Sequence, residues 1–295
     1  MEQLARKYIP GWLARSTKQW ISVPRFWWHL QSAREAYRRS GKSYHHNVLF
    51  VAGLPKSGTS WMESMLASYP GYTNVMVPEA IFHEQKYGGS HDYQLSPRMF
   101  DRLQDALAVL KLHVDGAQHN VQVLKETGVP YLIMYRDLRD VAVSHYFYVR
   151  RTPWHPEHTD YKGLSIEEGL RHFGTTLLPE FVDWIRSWHT HRAPDNSLMV
   201  RYEGLLADTT ATFREVAELF ELPSDPETVE AIVDAHRFEN LSGGRTRGKD
   251  EEESFFRKGV SGDWKNHFTP TLKKLFKEEA GQALIDFGYE EGLDW

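Results

Sequence analysis

The 295-residue chain contains no cysteine, which excludes a disulfide framework and any thiolate metal site. It lacks an apolar run of about 18 residues, and no short apolar stretch opens the sequence, so neither a membrane-spanning helix nor a secretory signal is expected. The default address is the cytoplasm. Positive charge is not in excess either: 35 Lys+Arg stand against 40 Asp+Glu, a net −5. That balance argues against duplex nucleic acid as the main partner, because phosphate backbones are usually held by a basic domain. Repeats and low-complexity segments are missing as well. What is present is 41% hydrophobic and 13% aromatic residues, ample for the core of one large domain or two modest ones.

The charge is unevenly spread. Residues 1–46 hold nine Lys+Arg and two Asp+Glu, a leader of +7 ahead of a remainder of −12. Trp12, Trp20, Trp27 and Trp28 stand in this leader among Arg6, Lys7, Arg15, Lys18 and Arg25. That mixture suits peripheral contact with an anionic membrane surface, or more plainly a helical extension packed on the body. Pro10 and Pro24 are expected to interrupt any long helix there.

Beyond the leader, four short apolar runs read as buried strands: Asn47 to Gly53, Ala106 to Leu112, Tyr131 to Tyr135 and Ser197 to Tyr202. Helical patterns fall between and after them, from about Gly58 to Tyr69, Asp137 to Arg151, Leu164 to His191, Asp208 to Leu222 and Leu272 to Phe287. Strands alternating with helices predict an α/β fold, a single P-loop-like domain over residues 47–295 with a central parallel sheet flanked by helices on both faces. In such a fold the polar groups at strand ends converge on one rim. The long stretch from Asn240 to His267 has little apolar periodicity and reads as a functional or mobile loop.

Strand, then Gly53-Leu54-Pro55-Lys56-Ser57-Gly58-Thr59-Ser60-Trp61, then helix is the arrangement in which loop amides and a helix N-terminus enclose a phosphate. A nucleoside-triphosphate loop would place lysine directly after Gly58, whereas here the lysine lies inside the loop at position 56. That shift puts the cation over a bridging oxygen of a shorter phosphate chain, with Thr59 and Ser60 donating to the terminal phosphate.

These residues resemble the cytosolic-type sulfotransferases, which move a sulfonate from 3′-phosphoadenosine-5′-phosphosulfate (PAPS) to a hydroxyl or amine and release the bisphosphate PAP. The Pro55 to Trp61 segment is similar to the family's 5′-phosphosulfate loop. Tyr135-Arg-Asp-Leu-Arg-Asp-Val-Ala-Val-Ser-His-Tyr146 is similar to its 3′-phosphate segment, and Arg257-Lys-Gly-Val-Ser-Gly-Asp-Trp-Lys-Asn-His-Phe268 to its late loop. The resemblance implies that Lys56, Ser57, Gly58, Thr59 and Ser60 hold the 5′-phosphate with Trp61 beside the adenine. It implies that Arg136, Ser144, Arg257, Lys258 and Gly259 hold the 3′-phosphate, and that Tyr202 and Phe238 border the adenine. Lys111-Leu112-His113 falls where the family has Lys-x-His, which makes His113 the candidate base and Lys111 its catalytic neighbour. His119 is the alternative if the segment is misaligned.

Sulfonate transfer resembles phosphoryl transfer through a loose transition state, so a fixed cation such as Lys56 at the leaving oxygen and an imidazole at the acceptor hydroxyl are the parts required. No metal is expected: the pairs His155/His158 and His189/His191 lack an acidic constellation of recognised spacing. Arg139 and Asp140 are expected to form an exposed pair, the acids from Asp250 to Glu253 a solvated patch, and Trp264 a packing anchor. Phe82, Tyr87, Phe147, Tyr148 and Trp154 suggest a small, largely apolar acceptor carrying a hydroxyl. Three departures from the family are visible: the acceptor loops at Tyr72 to Tyr93 and Tyr148 to Lys162 share no motif with it, Pro270 and Lys274 fall within its frequent dimerisation motif, and Leu54 stands where animal members usually carry tyrosine. Oligomeric state is therefore left open. The rival readings are a P-loop kinase using ATP and magnesium, and a nucleotide-binding adaptor at a membrane surface.

Overall fold

The computed structural model describes residues 11–89, 91–251, 254 and 257–295, with side chains from residue 20 onward. Arg6, Lys7, Pro10, Glu252 and Glu253 lie outside the described residues, as do the side chains of Trp12, Arg15 and Lys18. Five strands form the central sheet: β1 (Val48–Gly53), β2 (Thr73–Val75), β3 (Ala108–Leu112), β4 (Tyr131–Tyr135) and β5 (Ser197–Arg201). Their order is β2-β3-β1-β4-β5, and every pairing is parallel. Four strands coincide with the apolar runs, β3 starting two residues later than its run. β2 has no counterpart among those runs; it is three residues long and only Val75 is buried, too brief to leave a pattern.

Strand β1 is buried along its whole length because both faces of the sheet are covered. Its side chains alternate between two cores. Val48, Phe50 and Ala52 join Tyr131 and Ile133 beneath Val141, Phe173, Trp184, Trp188 and Phe276. Leu49 and Val51 join Val109, Leu132 and Val200 against Met62, Met65, Phe213, Val216 and Val229. The register sets Ala52 beside Leu112 and Gly53 beside Met134, so the chain leaves β1, β3 and β4 at one rim. The phosphate loop, His113 and Arg136 follow directly.

The leader forms one helix, Gly11–Ser40, that continues through Pro24. This corrects the expected break. Proline removes the bond to the carbonyl of Trp20, but Trp20 and Pro24 are both exposed, so water can satisfy that carbonyl. Phe26, Leu30 and Ala33 fasten the opposite face to the core.

Candidate active site

The phosphate loop connects β1 to the helix Thr59–Leu66 and is held by Leu54 N donating to Met134 O (2.8 Å) and Ser57 N to Leu54 O (3.3 Å). Lys56 has φ +67° and Gly58 φ +77°, left-handed conformations that a lysine adopts only where the surroundings enforce it. A Cβ on Gly58 would come within 2.7 Å of the Tyr202 ring. The Lys56 ammonium lies 3.9 Å from the centre of the Tyr148 ring. Burial, together with the charges of Arg151, Arg136 and Lys111, lowers its pKa to about 7. Cations gather here against their mutual repulsion, which is the electrostatic mark of an anion site.

Arg136 follows the end of β4. It donates to Lys56 O (3.3 Å) and Val260 O (2.8 Å), pairs with Asp140 (3.3 Å) and stacks 4.4 Å over Tyr202. Its Nε is buried without a partner among the described residues, as is the hydroxyl of Ser57. An orphaned guanidinium donor beside a crowd of cations fits an anionic nucleotide such as PAPS. Ser144 lines the same cavity from the helix Leu138–Arg150.

Arg139 and Asp140 do not form the expected exposed pair, because both are buried and each serves a different partner. Arg139 pairs with Asp137 (2.7 Å) and Glu290 (2.5 Å), between the rings of Trp264 and Trp295. Asp140 faces the other way, one helical turn from Arg136, and accepts from the amides of Gly262 (2.7 Å) and Trp264 (3.0 Å). It thereby ties the late segment to the rim. In that segment Arg257 and Lys258 both pair with Asp250 (2.7 and 3.1 Å) and with Asp263, the Lys258 contact being 2.8 Å. Burial alone would raise the Asp263 carboxyl, but hydrogen bonds from His267, Lys258 and Arg257 hold it well below the usual range. Asp250 is thus engaged rather than merely solvated, and Glu251 pairs with Arg245 (2.7 Å). Gly259 has φ +66°, and a Cβ there would meet the Phe238 ring at 2.5 Å. Trp264 is buried, as a packing anchor should be.

His113 follows β3 directly, and its Nδ1 lies 2.5 Å from Gly53 O. A carbonyl only accepts, so Nδ1 carries the proton and Nε2 of the neutral ring is an acceptor. The backbone is fixed too: Trp184 Nε1 donates to His113 O at 2.9 Å. Burial, then the charge of Lys111, lowers the His113 pKa to about 3, with Lys56 contributing. Lys111 pairs with Glu63 (3.0 Å) and donates to Ser60 Oγ (3.3 Å). His119 is exposed, bonded to Leu95 O (2.9 Å), and is not among the cavity residues.

One cavity of about 370 Å³, within the usual size range of ligand pockets, brings these groups together. Lys56, Gly58, Thr59, Ser60, Trp61, Lys111, His113, Arg136, Ser144, Tyr202, Phe238, Arg257, Lys258 and Gly259 all line it. Ser57, among the expected site residues, is fully buried behind the loop. Sequence reasoning missed Arg151 and Arg247. Arg247 sits 5.7 Å from the rings of both Trp61 and Phe238, and Arg151 acts on Lys56 by charge. Neither belongs to a segment with a readable motif. Of the five aromatics expected around the acceptor, Phe147 and Tyr148 line the cavity, whereas Phe82 and Tyr87 are exposed and, like Trp154, are not among its lining residues. His155 lines it, while His158 bonds Val149 O and His191 bonds Gly116 O. Among the described residues, one group has metal-ligating geometry: His45, His46 and Glu221, on the surface.

A parallel α/β sheet with a phosphate loop at its rim and a cation-lined cavity has the form of a nucleotide-binding α/β fold. The sulfotransferase domain model matches residues 46–288. Cytosolic sulfotransferase 11 of Arabidopsis thaliana is 26% identical over 273 residues, covering 81% of this chain and 73% of that protein. A flavonol sulfotransferase-like protein of Flaveria bidentis is 25% identical over 274 residues, covering 81% and 82%. The crystal structure of a mouse sulfotransferase, SULT7A1, complexed with PAP superposes with a TM-score of 0.59 at 20% identity, covering 88% of this chain and 95% of that one. The chain belongs to the sulfotransferase family and is a PAPS-dependent sulfotransferase. No helix among the described residues is long and apolar enough to cross a membrane.

Proposed function

We propose that this enzyme transfers the sulfonate of PAPS to a hydroxyl of a small acceptor by in-line displacement, with His113 as general base and Lys56 stabilising the leaving phosphate. The observation that carries this reading is the meeting, in one cavity, of a crowded ammonium at Lys56 and an imidazole whose Nε2 is an acceptor. PAPS supplies, when bound, a sulfonate already joined to a phosphate leaving group. As the acceptor oxygen bonds to sulfur, the bond from sulfur to the 5′-phosphate breaks and the acceptor's proton passes to His113 Nε2. Lys56, Thr59 and Ser60 meet the charge developing on the departing oxygen. Lys111 and Lys56, which hold the His113 pKa down, are cations that a bound anion offsets. Donor binding therefore raises the basicity of the imidazole.

Gly58 completes the 5′-phosphate cradle, with Ser57 supporting the loop from behind. Trp61, Tyr202 and Phe238 border the adenine, and Arg136, Ser144, Arg257, Lys258 and Gly259 take the 3′-phosphate, which competes with Asp250 for the last cations. The kinase reading has less support, since β4 runs into Arg136 rather than an acidic metal ligand. Incubation with sulfur-labelled PAPS and a panel of phenols, sterols and fatty alcohols tests the proposal: label should move to at least one acceptor. Stabilisation by ATP–Mg but not by PAP would overturn it. For the leader we infer a cytoplasmic enzyme with peripheral contact to anionic membranes, supported by Trp20 and Trp28 at 82% and 69% exposure on a basic segment. Sedimentation with phosphatidylserine vesicles should carry the protein down, and equal sedimentation of the Trp20→Ser/Trp28→Ser variant would refute that contact.

A further inference from the structure

Apart from the residues expected to hold the donor, the lining of the cavity is not uniformly apolar. Met76, Ala80, Ile81 and Phe181 line it together with His91, His145, His155, Glu84 and Glu157. Glu157 Oε2 accepts from the Nε2 of His145 at 2.7 Å. Burial works to raise this carboxyl, but the hydrogen bond from His145 brings it below its ordinary value, so it is ionised at neutral pH. Its second oxygen, Oε1, makes no hydrogen bond among the described residues. His91 stands nearby on the floor, its ring edge-on to Phe181 at 4.9 Å. Burial lowers its pKa and keeps it neutral; its ring lies against the His113 backbone, and its Nδ1 is buried with no partner among the described residues.

We propose that Glu157 and His91 form a polar subsite that selects acceptors carrying a second hydrogen-bond donor, a hydroxyl or an ammonium group, besides the hydroxyl that is sulfonated. The inference rests on the sulfotransferase reading above and narrows its acceptor. A carboxylate oxygen accepts only, and it would be left desolvated by a purely apolar ligand. An acceptor of this kind, left unmet once a ligand covers it, penalises the wrong ligand more strongly than a missing apolar contact does. The aliphatic and aromatic residues of the same lining would hold the body of the molecule. The acceptor class is therefore an amphipathic alcohol or phenol with a second hydrogen-bond donor.

Three phenols that differ only in the tail test this: para-ethylphenol, tyrosol with a hydroxyl and tyramine with an ammonium. Both kcat/KM and calorimetric binding to the enzyme–PAP complex are read, so the answer does not depend on turnover alone. Tyrosol or tyramine should be preferred over para-ethylphenol by at least ~10-fold, and the better of the two identifies the donor. Glu157→Gln should shrink that ratio several-fold. His91→Leu, which leaves the Glu157–His145 pair intact, should shrink it as well, and PAP affinity serves as the check on folding in both variants. Equal use of the three phenols, binding of none of them to the PAP complex, or an unchanged ratio in both variants would overturn the inference. Failure of PAP to bind the wild-type enzyme would instead sink the reading of the donor site.

Discussion

The two ends of the cavity are made from different materials. At the donor end, backbone geometry and guanidinium groups dominate: a left-handed Lys56, the amides of a short loop, and Arg136 fastened to the main chain at Lys56 and Val260. At the acceptor end, side chains from the helices Pro78–Tyr87, Leu138–Arg150 and Leu178–His191 and from the segment around Glu157 meet without a shared motif. A phosphate demands the same cradle whatever it is attached to, whereas an acceptor demands only that its own shape and polarity be met. The first end is consequently constrained by charge and close approach. The second is free to change one side chain at a time.

If the ends are functionally separate, variants at each should separate binding from chemistry. His113→Ala is expected to lower kcat by ~10²–10⁴-fold with little change in PAP affinity, because it removes a proton acceptor that does not hold the nucleotide. Lys56→Ala should lower kcat by ~10²–10³-fold and also weaken PAP, since its charge acts on both bound and departing phosphate. Single-turnover rates and calorimetric PAP titrations check both. A loss of PAP affinity in His113→Ala equal to that in Lys56→Ala would erase the distinction.

The same contrast explains what can be read from the sequence. β1, β3, β4 and the displaced Lys56 are legible because a strand buried on both faces leaves a continuous apolar run, and a phosphate loop leaves fixed glycine spacing. Asp140 is not, because its neighbour Arg139 offers an adjacent opposite charge. Helical spacing instead directs Asp140 toward Arg136, four residues earlier, and toward the amides of Gly262 and Trp264 more than a hundred residues later. Arg151 and Arg247 escape for the related reason that long-range contacts alone give them a place. Pro24 misleads, since an exposed carbonyl tolerates the loss of the bond that proline removes.

Asp140 also joins the donor end to the rest of the fold. Asp140→Ala should destabilise the protein by about 3 kcal/mol, because it leaves Arg136 short of its buried carboxylate and two amides unmet. Urea unfolding measures this, with a parallel loss of PAP affinity as the late segment loosens. Destabilisation without any effect on PAP would show that the late segment closes over the nucleotide independently of Asp140.

The smallest effect is the most specific to the donor end. With its pKa at about 7 in the free protein, Lys56 loses its proton as pH rises above neutrality, while a bound bisphosphate holds the proton on. PAP affinity should then fall by up to ~10-fold per pH unit above about 7, with uptake of one proton on binding, until the pKa of the complex is passed. Phosphate second ionisation, near pH ~6, is complete over this range and does not contribute. Burial, the main cause of the low His113 pKa of about 3, persists in the complex, so His113 adds nothing above about pH 7. Calorimetry between about pH 7 and 9 in buffers of different ionisation enthalpy reads both the affinity and the proton. Lys56→Arg, charged throughout, should bind PAP with a flat profile. A slope retained in Lys56→Arg would assign the titration to another group and place the crowding of cations elsewhere in the loop.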